Sequence, residues 1–311
     1  MQTTLSREFK LLRAALAALL AVAGASVAIA TSPPAVTAVP VGKTVEWDSA
    51  KDGARRSYAV GDLKLTFSIA KNSDGDTLPV LTVLSPRYGR RVMLGQVGLA
   101  APMASFVVAR LDPQASGPAV VLETFTGGAH CCTQIDILDP VGGGWTPVDA
   151  GAHDGSFSIG LHDLDGDGAP DIRLGDEAFL YSFACYACAA PPLRIYNLVG
   201  GQWRDVSTAR KYIPTFRKAE AADRRACVEG GGQDGACATF VAEAARAGDF
   251  PAAWAWMLKH YDRKDEWDWP TGCTAPRDQD HACPKGHEIA YKTYPEALEA
   301  FLIETKYIPA G

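Results

Sequence analysis

From about Val45 to Val206 the chain runs in short β-branched and apolar stretches broken by Gly, Pro and Asp, the texture of strands joined by frequent turns. Leu63-Lys64-Leu65-Thr66-Phe67-Ser68-Ile69 alternates with period two, which predicts a half-buried strand. Phe106-Val107-Val108, Ala119-Val120-Val121-Leu122 and Ile135-Asp136-Ile137-Leu138 predict further strands. From about Phe216 the composition turns to Ala, Glu and Arg. Trp254, Met257, Leu258 and Tyr261 stand at i, i+3, i+4 and i+7, one face of a helix, with Asp249 placed to cap it and Pro251 in its first turn. Phe240, Val241, Ala244 and Ala245 predict a partner helix before it. Thr293-Tyr294-Pro295-Glu296 has capping-box spacing ahead of Ala297, Leu298, Phe301 and Leu302. The expected fold class is therefore α+β, with a β-repeat region over 45–210 and a small helical domain over 216–311.

The β region repeats itself. Ile137-Leu138-Asp139-Pro140-Val141-Gly142-Gly143-Gly144-Trp145 matches Ile195-Tyr196-Asn197-Leu198-Val199-Gly200-Gly201-Gln202-Trp203. Ahead of each, Leu111-Asp112 through Leu122 echoes Leu164-Asp165 through Leu174, and Asp74–Leu81 is a fainter third echo. Repeats of this period imply stacked units, none able to bury its own face alone. Each copy reads as a small antiparallel sheet, with the Val-Gly-Gly segment as a hairpin turn into its last strand.

The first thirty residues read as an export signal: Arg7, Lys10 and Arg13, then an Ala/Leu/Val run over 14–30 ending in Ala28-Ile29-Ala30, with cleavage expected before Thr31. An uncleaved N-terminal anchor is the alternative. No later segment is long and apolar enough to span a membrane. Residues 31–44, rich in Pro, Ala and Val, read as a linker. The expected location is periplasmic or secreted. In such a compartment the eight cysteines favour disulfides. Cys131 and Cys132 are expected to pair with Cys185 and Cys188, which hold a comparable place in the next repeat, because a bond between neighbours is strained. Cys227 with Cys237 and Cys273 with Cys283 read as local bridges. Zinc on Cys273, His281, Cys283 and His287 is the alternative there, on ligand types whose spacing fits no common finger. His130 reads as a hydrogen-bonded turn residue. The net charge of −6 and the lack of a basic patch argue against nucleic acid.

Asp163-Leu164-Asp165-Gly166-Asp167-Gly168-Ala169-Pro170-Asp171 places carboxylates at positions 1, 3, 5 and 9 of a glycine-bearing loop. Hard oxygen ligands so arranged suit Ca²⁺, and the Ala169 carbonyl at position 7 offers another oxygen. Four like charges this close repel without a cation. The expected metal site is thus Asp163, Asp165, Asp167, Ala169 and Asp171, with the ion pinning the turn. Asp112 stands nearly alone in its repeat, and Asp74 and Asp76 lack the rest of the set, so no ion is expected there.

The loop and its following strand Ile172-Arg173-Leu174 resemble the FG-GAP/VCBS-type repeat, the calcium-bearing blade of integrin-like β-propellers. The resemblance implies two to three blade-like units, a partial propeller or a sandwich, and a role in adhesion or ligand binding. No nucleophile elbow, zinc-protease motif, phosphate loop or dinucleotide fingerprint occurs. The functional expectation is an exported, non-enzymatic, calcium-stabilised binding or scaffold protein, whose partner is a protein or glycan of the cell envelope. The alternatives are an envelope hydrolase with two carboxylates assembled by folding, or a thiol-redox protein using the C-x-x-C of Cys185 and Cys188.

Overall fold

A computed structural model describes residues 36–98, 101–128, 132–154, 160–188, 190–229, 234–264, 267–278 and 282–310. The export signal, the start of the expected linker, His130, Cys131 and His281 lie outside these residues. The first sheet contains β1 (Val36–Ala38), β3 (Arg55–Val60), β4 (Leu63–Lys71), β5 (Thr77–Ser85) and β6 (Gly89–Leu94), in that order. The second runs β10 (Thr146–His153), β9 (Thr133–Asp139), β8 (Ala119–Phe125), β7 (Met103–Ala109), β2 (Val45–Asp48). The third is β11 (Gly160–His162), β12 (Asp171–Gly175), β13 (Leu193–Val199), β14 (Gln202–Asp205). Each therefore holds a four-stranded antiparallel meander. Within the expected linker, β1 pairs in parallel with β3, Thr37 opposite Tyr58.

The two matched segments occupy the same register. Val120 faces Leu138 across β8 and β9, and Ile172 faces Tyr196 across β12 and β13. Both hairpins turn through paired glycines at positive φ, Gly142 and Gly143 in the six-residue loop between β9 and β10, and Gly200 and Gly201 between β13 and β14, where a right-twisted two-residue hairpin demands that backbone.

The sheets stack face to face because successive strand residues point to opposite sides. Val120 and Leu122 join Phe67 and Leu81 of the first sheet in one core, while Val121 between them joins Ile172 and Leu198 of the third in another. Burial on both faces explains why β8 is a continuous apolar run. The far side of the third sheet, through Ile195, packs on Tyr212, Phe216 and Ala247.

The helical part holds α2 (Ile213–Glu229), α3 (Asp234–Ala247), α4 (Phe250–His260) and α5 (Tyr294–Glu304), while the single-turn α1 (Ser49–Asp52) follows β2. A two-stranded ribbon pairs β15 (Gly272–Cys273) with β16 (Glu288–Ile289). The fold is thus α+β, with sheets first and a disulfide-bearing helical part after them. Phe240, Met257, Leu298 and Leu302 form its centre. Two caps differ from expectation. Asp249 stands at the N-cap of α4 without a capping bond, and its carboxylate accepts from Arg217 instead. Thr293 does cap Glu296, but Glu296 accepts from the N–H of Lys292 and not from that of Thr293.

Candidate metal centre

The acidic loop joins β11 to β12. Its backbone is folded by its own carboxylates: Asp163 accepts from the N–H groups of Gly166 (2.7 Å) and Gly168 (3.1 Å). Asp165 accepts from Asp167 N–H at 3.0 Å and Asp167 from Ala169 N–H at 2.8 Å. Gly166 and Gly168 both take positive φ, which lets the chain reverse twice without a Cβ clash. Asp171 is buried where β12 begins, and its Oδ2 accepts from Leu164 N–H at 2.8 Å.

Asp163, Asp165 and Asp171 each offer an oxygen, and the three oxygens lie within 4.8 Å of one another. Oxygens held at 2.3–2.6 Å from one Ca²⁺ lie no more than about 5 Å apart, so the donor set and its spacing fit that ion. Among the described residues this is the one such group of three. Asp167 is exposed and outside this group, and Ala169, whose carbonyl is the other expected ligand, is buried in the loop.

Two neighbours were not legible in the sequence. Lys211 places its ammonium on Asp165 Oδ2, and 3.9 Å from Asp167 Oδ2. Tyr212 donates its hydroxyl to Asp171 Oδ1 at 2.5 Å and accepts from Asn197 Nδ2 at 3.0 Å. Both sit in the short turn leading into α2, 40 residues and more from the loop, and carry no motif. Burial pushes the Asp165 carboxyl up, but the Lys211 pair and the Asp167 N–H outweigh it and hold its pKa below the usual value. Burial opposes the charge on Lys211, yet Asp165 and its neighbours raise its pKa.

The equivalent turns elsewhere serve the fold. Asp112 is buried and accepts from Gln114 N–H (2.8 Å) and from Gly200 N–H (2.6 Å) in the hairpin of the next repeat. In the first sheet, Asn72 closes the turn on the N–H groups of Asp74 and Asp76. Asp139 is fully buried, and the Gly201 N–H is the backbone group that eases its charge. Burial and the nearby Asp112 push its pKa to about 6.

The cysteines correct one expectation and bear out another. Cys185 and Cys188 are bonded to each other, so the cross-repeat staple to Cys131 and Cys132 does not form. The two close a single turn, which brings their Cα atoms to 5.0 Å without any help from the neighbouring repeat. Cys132 is disulfide-bonded as well. Cys227–Cys237 and Cys273–Cys283 are the local bridges expected. The second removes both thiolates that zinc would need.

Comparison with known proteins places the helical part first. Residues 213–306 match the family model described as the sll0997 C-terminal domain. A Synechocystis sp. (strain ATCC 27184 / PCC 6803 / Kazusa) protein, named "Probable thylakoid lumen protein sll0997", is 33% identical over 264 residues, 80% of this chain and 75% of that protein. The chain belongs to the sll0997 family. The y4bJ protein of Sinorhizobium fredii (strain NBRC 101917 / NGR234) is 30% identical over 280 residues, 86% of this chain and 43% of its own length. The chain therefore spans less than half of that longer relative. No solved structure matches it. The sll0997 family model begins at Ile213, the residue after Tyr212, so the acidic loop lies ahead of the matched segment while its two partners immediately precede it.

Proposed function

We propose that this member of the sll0997 family is an exported, calcium-stabilised scaffold or binding protein. The convergence of Asp163, Asp165 and Asp171 carries the reading. Asp163, Asp165 and Asp171 would hold Ca²⁺ with side-chain oxygens. The ion would supply positive charge among carboxylates that otherwise repel one another. Pinned in this way, the loop fixes the start of β12 and, through Tyr212, the start of α2. The ion's role is structural. The partner is a protein or glycan of the cell envelope, met by the loops at one rim of the sheets.

An exported location is supported by the basic start and the apolar run ending in Ala28-Ile29-Ala30. It is also supported by the disulfides and by the lumenal name of the Synechocystis relative. Among the described residues no helix is long and apolar enough to cross a membrane. The loop's likeness to the FG-GAP/VCBS-type repeat supports a binding role.

Calorimetric titration of chelator-stripped protein tests the ion. One Ca²⁺ per chain is expected, lost on Asp163→Ala with Asp165→Ala. Absence of binding heat and of retained calcium at millimolar ion overturns the proposal.

A further inference from the structure

We propose that Cys185–Cys188 is a reversible disulfide that exchanges with a protein dithiol, while the Cys227–Cys237 and Cys273–Cys283 bridges are permanent. The inference is independent of calcium. It begins with access. Among the described half-cystines, Cys188 is the exposed one and Cys185 is half-buried beside it. Cys227 and Cys237 are each 0% exposed, and Cys273 and Cys283 are both half-buried. Thiol exchange proceeds by attack along the S–S axis of an accessible sulfur, so Cys188, the exposed residue of the pair, is the point of entry.

The second observation is how little the fold needs this bond. It joins residues three apart, against ten for Cys227–Cys237 and for Cys273–Cys283, and constraint of the unfolded chain grows with the loop closed. Its segment is anchored by other means. Phe183, 1% exposed, packs edge-on against Tyr294 and Phe301 with ring centroids 5.6 and 5.1 Å away. Ala184 lies so close to Gly235 that a Cβ there would come within 2.6 Å of it. The turn itself is held by the Cys188 N–H bond to Cys185 O at 2.9 Å.

The chemistry balances as a two-electron exchange. A partner thiolate attacks Cys188 Sγ, the S–S bond breaks, and Cys185 leaves as a thiolate that takes up a proton. The partner's second thiolate then attacks its own sulfur in the mixed disulfide and releases Cys188 as a thiolate, which is protonated in turn. The chain ends as a dithiol, and the partner, a dithiol of thioredoxin type, ends oxidised. Tyr186, inside the four-residue ring, donates its hydroxyl to Asp154 Oδ1 at 2.7 Å, just past the end of β10. The redox state of the bridge thus bears on a tie between the second sheet and the loop that leads into β13.

Native full-length protein is treated with a thioredoxin whose resolving cysteine is serine, and the trapped product is mapped by mass spectrometry. Parallel samples are reduced with dithiothreitol at pH 7, alkylated and counted. A mixed disulfide at Cys188 is expected. So are two alkylated cysteines, Cys185 and Cys188, appearing at least tenfold faster than any other pair. The double variant Cys185→Ser, Cys188→Ser is expected to fold and to melt about 3–8 °C below the parent. Trapping at another cysteine, earlier opening of Cys273–Cys283, no reduction of the native protein, or collapse of the double variant's melt would each overturn the proposal.

Discussion

Tyr212 donates its hydroxyl to Asp171 Oδ1 at 2.5 Å across 41 residues. The bond is buried and joins the last carboxylate of the acidic loop to the residue that precedes α2. It ties the third sheet to the turn that leads into α2. Burial and the Asp171 carboxylate both push the Tyr212 pKa up, so the hydroxyl stays protonated and remains a donor.

Tyr212→Phe removes that donor and leaves a buried carboxylate short of one partner, at a cost of about 1–3 kcal/mol. At roughly 2–4 °C per kcal/mol for a chain of this size, the melting temperature falls by several degrees. The fall is larger in chelator than in calcium, where the ion meets part of the charge on Asp171. Paired thermal melts check this. An equal loss in both buffers separates Tyr212 from the ion.

Lys211 is a cation already seated on the loop, and any divalent ion must contend with it. Its side chain is 44% exposed, so solvent screening discounts the pair heavily, to about 1 kcal/mol. Lys211→Met accordingly tightens calcium binding about fivefold while lowering the melting temperature in chelator. Isothermal titration of both proteins measures the ratio. Weaker binding in the variant contradicts the competition.

Stability rises as pH falls from 8 toward 5. Glu243, 2% exposed, has one oxygen on Leu193 N–H and the other without a partner. Burial foremost pushes its pKa to about 8. Burial likewise lifts Asp136, Asp139 and Asp223 to about 6 each. Below about pH 4 the folded and unfolded chains both hold these protons, and the groups cost nothing. Between pH 4 and 8 the fold keeps protons that the unfolded chain gives up, so each group withdraws stability as pH rises through its folded pKa. Glu243→Gln flattens the upper part of this slope, and Asp139→Asn the lower part. Asn is also the residue at the matching place in the next repeat, Asn197. Asp139→Asn gains roughly 1–3 kcal/mol at pH 8 and little at pH 4. Denaturant melts across pH read both, and a pH-independent variant difference contradicts the assignment.

The strands that carried β-branched runs were legible: Leu63–Ile69, Phe106–Val108, Ala119–Leu122 and Ile135–Leu138 all lie within strands. Val36–Ala38 was not, since a three-residue edge strand in a Pro-rich stretch has no periodicity to read. At the site, local spacing found Asp163, Asp165 and Asp171 because the loop's own turns converge them. Asp167, the fourth carboxylate of the same spacing, faces solvent with Lys211 3.9 Å away. Lys211 and Tyr212 arrive by tertiary packing, beyond any local pattern. The cross-repeat disulfide pairing failed for a related reason, while the two local bridges formed. Repeat equivalence suggested Cys185 and Cys188 as partners for the previous repeat, but a tight turn let each satisfy the other.

Thermal unfolding of chelator-stripped protein, with and without millimolar Ca²⁺, bears most directly on the central claim. At a hundredfold excess over Kd the ion adds about 2.7 kcal/mol, so the melting temperature climbs by roughly 5–10 °C. The climb disappears in Asp165→Ala. Superimposable curves with and without the ion, in wild type as in the variant, would contradict a calcium-held loop.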